Sequence, residues 1–251
     1  MSGLLTRRSL IASIGVGGLA ISGCGGAAAD NPPRVLASAE GLTMRVQRLI
    51  TGRKALAREF RADQMSPRFR TNGNTMPRSA AYQTHLASGF RDWRLVVDGL
   101  VATPLRLSMD RIREGPRRTQ ITRHDCVEGW SAIGEWTGIP LADILKTAGV
   151  KSDARYIIFH CADDFGGIPY YESIDLIDAF HPQTILAWGM NGAALPIGHG
   201  APLRLRVERQ LGYKHAKFVM RVEAADRLDG AGLGKGGYWE DHGDYEWYAG
   251  I

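Results

Sequence analysis

The chain has 251 residues, enough for one or two domains around a core of ordinary size. With 44% hydrophobic and 23% charged residues it is neither disordered nor fibrous, and three cysteines exclude a disulfide scaffold. The net charge of +5 includes Arg7 and Arg8 of a leader segment, and no run of five Lys or Arg occurs, so nothing argues for nucleic acid as a partner.

Residues 1–23 have the order of an export signal: Arg7-Arg8, then the uncharged Gly-rich run Ser9 to Gly23, shorter than the ~20 residues that span a bilayer as a helix. The paired arginines match a twin-arginine signal, and Ile21-Ser22-Gly23-Cys24 resembles a lipoprotein cleavage box, which makes Cys24 the expected lipidation site. The other reading is a buried N-terminal helix with two chance arginines. The export reading predicts a periplasmic protein held at a membrane surface by a lipid, with residues 24–41 as a flexible tether rich in small residues and Pro. The twin-arginine route carries proteins already folded, commonly around a cofactor.

Residues 42–65 are basic, with Leu and Met at helical spacing, and are expected to form a helix or extended arm laid on a body that spans residues 66–251. Strand signals follow at Trp93 to Leu100, ending in an Asp-Gly turn, and at Thr119 to Thr122, Tyr156 to His160, Leu203 to Glu208 and Phe218 to Glu223. Pro140 to Gly149 has Pro at its start and Gly at its end, the pattern of a short helix. Strands outnumber helices and lack regular crossover helices, so the expected class is α+β with mixed sheets rather than a doubly wound parallel sheet. Five glycines in Gly230 to Gly237 precede Tyr238, Trp239, Tyr245, Trp247 and Tyr248. A segment this aromatic is expected to dock on the body, and its glycines lack the context of a phosphate loop.

Chemistry concentrates around Cys126, in Arg123-His124-Asp125-Cys126-Val127-Glu128-Gly129-Trp130-Ser131, read as a functional loop after a strand. No Cys-x-x-Cys pair supports zinc. A Cys126–Cys161 disulfide and a thiolate activated by Arg123 and His124 both remain open on the residues alone.

The run Cys126 to Leu141 resembles the cysteine segment of the sulfite oxidase-type molybdopterin oxidoreductases, most of all the exported bacterial branch that includes the periplasmic methionine sulfoxide reductase catalytic subunit. Three further segments resemble that family in chain order: Ser66 to Asn74, Leu195 to Leu205 and Gly212 to Lys217. The resemblance implies a molybdenum-molybdopterin (Mo-pterin) cofactor with Cys126 as its protein thiolate ligand, a soft donor suited to the metal. It implies cofactor contacts from Asn72, with Asn74 in reserve, and from Cys161, His199, Arg204, His215, Ala216 and Lys217, the basic members meeting the pterin phosphate. Glu128 is implied as a carboxylate near the metal, able to relay a proton if burial raises its pKa. On the residues alone, Arg204 reads as a basic residue on a solvent face, His199 as a turn histidine and Glu128 as an exposed loop residue.

The implied activity is two-electron oxygen-atom transfer, with a small-molecule or protein-bound oxidised substrate such as a sulfoxide. Without a Cys-x-x-Cys-His haem site, the electrons must come from a separate electron-transfer protein, in the resembled branch a membrane haem protein. Cys126 is followed by Val-Glu-Gly-Trp rather than the Gly-Asn-Arg of eukaryotic-type sulfite oxidases, which weighs against sulfite. The rival readings are sulfite oxidation and a metal-free, lipid-anchored binding module.

Overall fold

The computed structural model describes residues 34–251, so Arg7, Arg8, Cys24 and most of the expected tether lie outside the described residues. Contacts divide the chain into two units, Met1–Ala39 and Glu40–Ile251. Helix α1 (Arg34–Thr51) starts within the stretch expected to be tether, and continues through the arm boundary at residue 42 without a break. From Gly52 the arm runs extended along the second unit. Phe60 N donates to Ile121 O at 2.9 Å and Ala57 N to the Gln183 side chain at 2.7 Å.

The body begins with α2 (Ala80–Ala87), whose first turn is capped by the Ser79 hydroxyl. β1 (Leu95–Gly99) and β2 (Leu105–Leu107) form an antiparallel pair. The chain turns after Gly99 rather than at Asp98-Gly99, because both residues still pair with a later strand. After α3 (Met109–Arg113) come β3 (Arg118–Cys126) and β4 (Trp130–Pro140), a long hairpin in full register from Arg118↔Gly138 to Cys126↔Trp130. Helix α4 (Leu141–Ala148) starts after Pro140 and stops at Gly149, whose φ of 69° only glycine adopts freely. β5 (Tyr156–Phe165) and β6 (Ile168–Asp175) form a second hairpin, followed by α5 (Leu176–Ala179), β7 (Ile185–Met190), β8 (Ala193–Ala194), β9 (Arg204–Arg206), β10 (Val219–Ala225) and α6 (Tyr238–Gly243).

Two sheets result. One has the order β2-β1-β10-β5-β6, antiparallel except for the parallel β1–β10 junction; the other has the order β3-β4-β7-β8, with β9 also on β7. The α+β, mixed-sheet class read from the sequence is the one observed. The main core gathers Trp93, Leu95, Ile157, Phe159, Leu203, Leu205 and Val222, all buried. Among the described residues no helix is long and apolar enough to cross a membrane.

β4 was not foreseen as a strand, because its buried positions Ala132, Gly134, Trp136, Gly138 and Ile139 include two glycines and end in an adjacent pair, which blurs the alternation. Gly138 is required there: a Cβ would stand 2.3 Å from Leu186 O where β4 meets β7.

A polar cleft with an aromatic wall

Cys126 is the last residue of β3, and the turn Val127-Glu128-Gly129 follows it, closed by Gly129 N to Cys126 O at 3.0 Å. The alternation of β3 puts Gln120, Thr122, His124 and Cys126 on one inward face, while Arg123 points out and pairs with Asp125 at 2.9 Å. His124 is buried, and its pKa lies well below the ordinary value through burial first and then the charges of His215, Arg204 and Arg206. The thiolate reading based on Arg123 and His124 therefore fails: one side chain faces away and the other is neutral. Burial pushes the Cys126 thiol up, and the nearby cation that opposes this is Arg204. Cys126 and Cys161 are both free thiols, so the disulfide reading does not hold either.

The Cys126 turn opens on a cleft with about 670 Å³ of free space, continuous with solvent. Its polar side holds Asn72, Asn74, Asp163, His215 and Lys217. Its other side holds Phe165, Tyr170, Tyr213, Trp239 and Tyr245. Four of these rings touch in sequence: Phe165 on Trp239 with centroids 5.4 Å apart, Trp239 on Tyr245 at 5.8 Å, and Tyr245 on Tyr213 at 4.9 Å.

Beneath the polar side, cations are buried without matching anions. Arg204 is fully buried, held by long hydrogen bonds to Asn72 Oδ1 at 3.4 Å and His199 O at 3.3 Å, and its Nε has no partner. Burial and the charge of Arg206 pull it down to about 9, so it remains charged at neutral pH. Lys217 donates to the carbonyls of Asn72 at 2.5 Å and Gly198 at 3.1 Å, and burial followed by Arg204 brings it down to about 7. His199 falls to about 4 from burial and the same neighbours. Arg206 alone is neutralised in full, by a bidentate bond to buried Glu208, at 2.9 and 2.6 Å. Its Nη1 also donates to His124 Nδ1 at 3.0 Å; since Arg cannot accept, the His124 proton sits on Nε2, which has no partner. His215 Nε2 bonds Gln210 O at 3.0 Å, leaving Nδ1 buried as an unpartnered acceptor, and Asp163 Oδ1 is a second orphaned acceptor.

Unmatched cations with orphaned donors and acceptors are what an anionic, hydrogen-bonding organic group would satisfy. A pterin phosphate fits this donor set: Arg204 and Lys217 supply positive charge, and His215 Nδ1 and Asp163 can receive ring N–H groups.

Of the residues singled out in the sequence, Asn72, Asn74, Cys126, Glu128, His215 and Lys217 line the cleft. Arg204 and His199 lie behind Asn72. Glu128 is exposed, with Trp130 Nε1 donating to its carboxylate at 2.9 Å, so the burial its proton-relay role depends on is not present. Ala216 is in the main core, its carbonyl accepting from Leu205 N at 2.8 Å, and Cys161 packs against that core; neither lines the cleft. The residues not foreseen are Asp163, Tyr170, Arg206 and the aromatic wall, and His124 serves as an acceptor for Arg206 rather than as an activator of Cys126. The docked C-terminal segment supplies part of that wall, held by Lys214, which is buried between Glu172 at 2.5 Å and Glu240. Asp241 secures it too, accepting from Tyr171 Oη at 2.5 Å and from Leu233 N at 2.8 Å.

A protein of Azospira oryzae provisionally named as protein-methionine-sulfoxide reductase subunit YedZ1 is 42% identical over 63% of this chain and 56% of its own length. The protein-methionine-sulfoxide reductase catalytic subunit MsrP of Ralstonia nicotianae is 34% identical over 54% of this chain and 44% of its own. The chain thus spans about half the length of these curated relatives. Among solved structures, the sulfane dehydrogenase SoxCD of Paracoccus pantotrophus superposes with a TM-score of 0.50 at 27% identity, over 55% of this chain and 39% of that one. The oxidoreductase molybdopterin binding domain family matches residues 82–231, a span that holds Cys126 and the buried cations under the cleft, and the chain belongs to that family of enzymes.

Proposed function

We propose that the protein is the catalytic subunit of a methionine sulfoxide reductase: two electrons and two protons convert a sulfoxide to its thioether and water, the electrons arriving from a separate protein. The observation that carries this reading is the two-sided cleft beside Cys126. With its polar side taken by the cofactor, the cleft offers a substrate the Phe165–Trp239–Tyr245–Tyr213 wall, which suits the apolar groups on sulfur, with which aromatic rings make favourable contacts. Sulfite, a compact anion with nothing apolar, would leave that wall unused. The names of the relatives point the same way.

When bound, a molybdenum-pterin supplies the oxygen-acceptor and electron chemistry. The chain's own residues then have separable tasks. Cys126 gives the soft thiolate ligand, Arg204 and Lys217 offset the negative charge, and Asn72 is fixed between Arg204 and Lys217. Asp163, held up at about 6 by burial, accepts from Asn74 Nδ2 at 3.2 Å and turns its other oxygen to the pterin ring. A membrane haem protein as electron donor fits a relative named as one subunit of a reductase. Export to the periplasm and lipid attachment rest on Arg7, Arg8 and Cys24, and the mass of the mature N-terminus tests them.

The function is tested on protein from a host that makes the cofactor. Molybdenum and released pterin are measured per chain, with methionine sulfoxide reduction by a reduced dye and sulfite oxidation by an artificial acceptor. The expected result is about one metal per chain, sulfoxide turnover and no sulfite turnover. Metal-free folded protein would favour a binding module, and turnover of sulfite alone would favour the oxidase reading.

A further inference from the structure

Helix α1 is amphipathic the wrong way round for a helix packed on a body. Its body-facing side holds half-buried Met44 and Gln47 and is fixed by Arg48, which pairs with Asp175 and with Asp178 at 3.3 Å and whose guanidinium lies 4.5 Å over the Tyr248 ring. Four apolar residues face away from the body. Leu42, Val46, Leu49 and Ile50 are 62%, 45%, 84% and 78% exposed. At about 100° per residue these four fall within an arc of roughly 100°, on the side of the helix opposite Arg48. Leu56, beyond the helix end, is exposed as well.

Basic residues dominate the charge around this stripe, which is bounded by Glu40 and Glu59. Between Gly41 and Arg58 there are five basic residues, Arg45, Arg48, Arg53, Lys54 and Arg58, and no Asp or Glu. Except for Arg48, which is committed to the body, all are exposed. An outward apolar stripe flanked by cations is what an interfacial helix presents to a bilayer: the apolar face enters the headgroup boundary, and the cations meet anionic lipid. We propose that α1 lies on an anionic membrane surface and holds the body there, independently of any lipid on Cys24. The inference uses none of the cleft residues, so it stands or falls apart from the proposed reaction.

The test is co-sedimentation of the cofactor-loaded full chain carrying Cys24→Ser, so that no lipid is attached, with vesicles of phosphatidylglycerol and phosphatidylcholine. The same chain with Leu49→Ser and Ile50→Ser is the comparison; since both share one N-terminus, any contribution of the leader cancels. The expected result is binding to the anionic vesicles that weakens with salt and falls at least about tenfold in the double variant. Circular dichroism and turnover of a soluble sulfoxide should be the same in both proteins, since Leu49 and Ile50 face solvent and no residue of α1 lines the cleft. Equal binding by both chains, or none by either, overturns the proposal. So does binding only to membranes that contain another protein, because the stripe would then be a protein interface.

Discussion

Replacing Lys214 by Met tests whether the C-terminal segment is held by the buried triad. Lys214, Glu172 and Glu240 have almost no solvent exposure, and one ammonium faces two carboxyls. Burial, and after it the charge of Glu240, drives the Glu172 pKa well above its ordinary 4.5; Lys214 is raised by its two acidic neighbours in spite of burial. The triad thus carries one positive and one negative charge, with a proton on Glu172. Lys214→Met leaves the negative charge unpaired in the interior, at a cost of about 3–5 kcal/mol. In a body of this size that lowers Tm by about 6–20 °C. Glu172→Gln removes only a neutral carboxyl of the same shape and should cost less than about 1 kcal/mol at pH 6. The pH dependence has a definite sign. The folded state holds a proton on Glu172 that the unfolded state releases above about 4.5, so stability falls as pH rises from there toward the raised folded value, by at most about 1.4 kcal/mol per pH unit. Glu172→Gln removes that slope. The assay is urea unfolding followed by tryptophan fluorescence, with Trp247, bonded to Ser173 at 2.8 Å, reporting on the segment. If Glu172→Gln costs as much as Lys214→Met, or the slope survives in it, the protonation assignment is wrong.

Cys126→Ser should abolish sulfoxide turnover while pterin content and the urea midpoint stay close to wild type, since the side chain ends a strand and carries little packing. Arg204→Ala should weaken pterin retention by about 10- to 100-fold, measured as pterin released per chain after dialysis; undiminished content would remove its assigned role. Lys217, depressed by burial to about 7, binds fewer protons folded than unfolded. The cofactor-free protein should therefore gain stability as pH rises from about 7 toward 10, and Lys217→Met should flatten that rise in urea midpoints measured across the range. Glu208→Gln leaves Arg206 buried with only half its pairing and should cost about 3 kcal/mol or more in the same assay.

The sequence spoke most clearly where one residue type has one structural use. Pro140 and Gly149 bracket α4 because one cannot donate within a helix and the other takes a positive φ easily. The aromatic tail could be read as docked because exposing so many rings is unfavourable. Buried charge is the opposite case. Nothing local distinguishes Arg204, with neighbours Leu203 and Leu205, from a basic residue on an outer strand face. Its burial follows from β9 lying against β7 under Trp136, whose ring lies 5.2 Å from its guanidinium. The cleft's polar residues were reached through a family resemblance spread over four segments. The wall was not, because Phe165, Tyr213, Trp239 and Tyr245 meet only after β5, the Gly212–Lys214 turn and α6 have come together.

The parallel β1–β10 junction also sets an order of events during synthesis. Asp98 and Arg221, paired across it at 2.8 Å, are 123 residues apart in the chain. β1 has only the three-residue β2 beside it until β10 emerges, so the first sheet cannot close on a growing chain before nearly all of it has been made. Until then the apolar faces of β1 and β5 remain uncovered, and the nascent protein is most in need of a chaperone over the stretch of translation in which most of its length is already present.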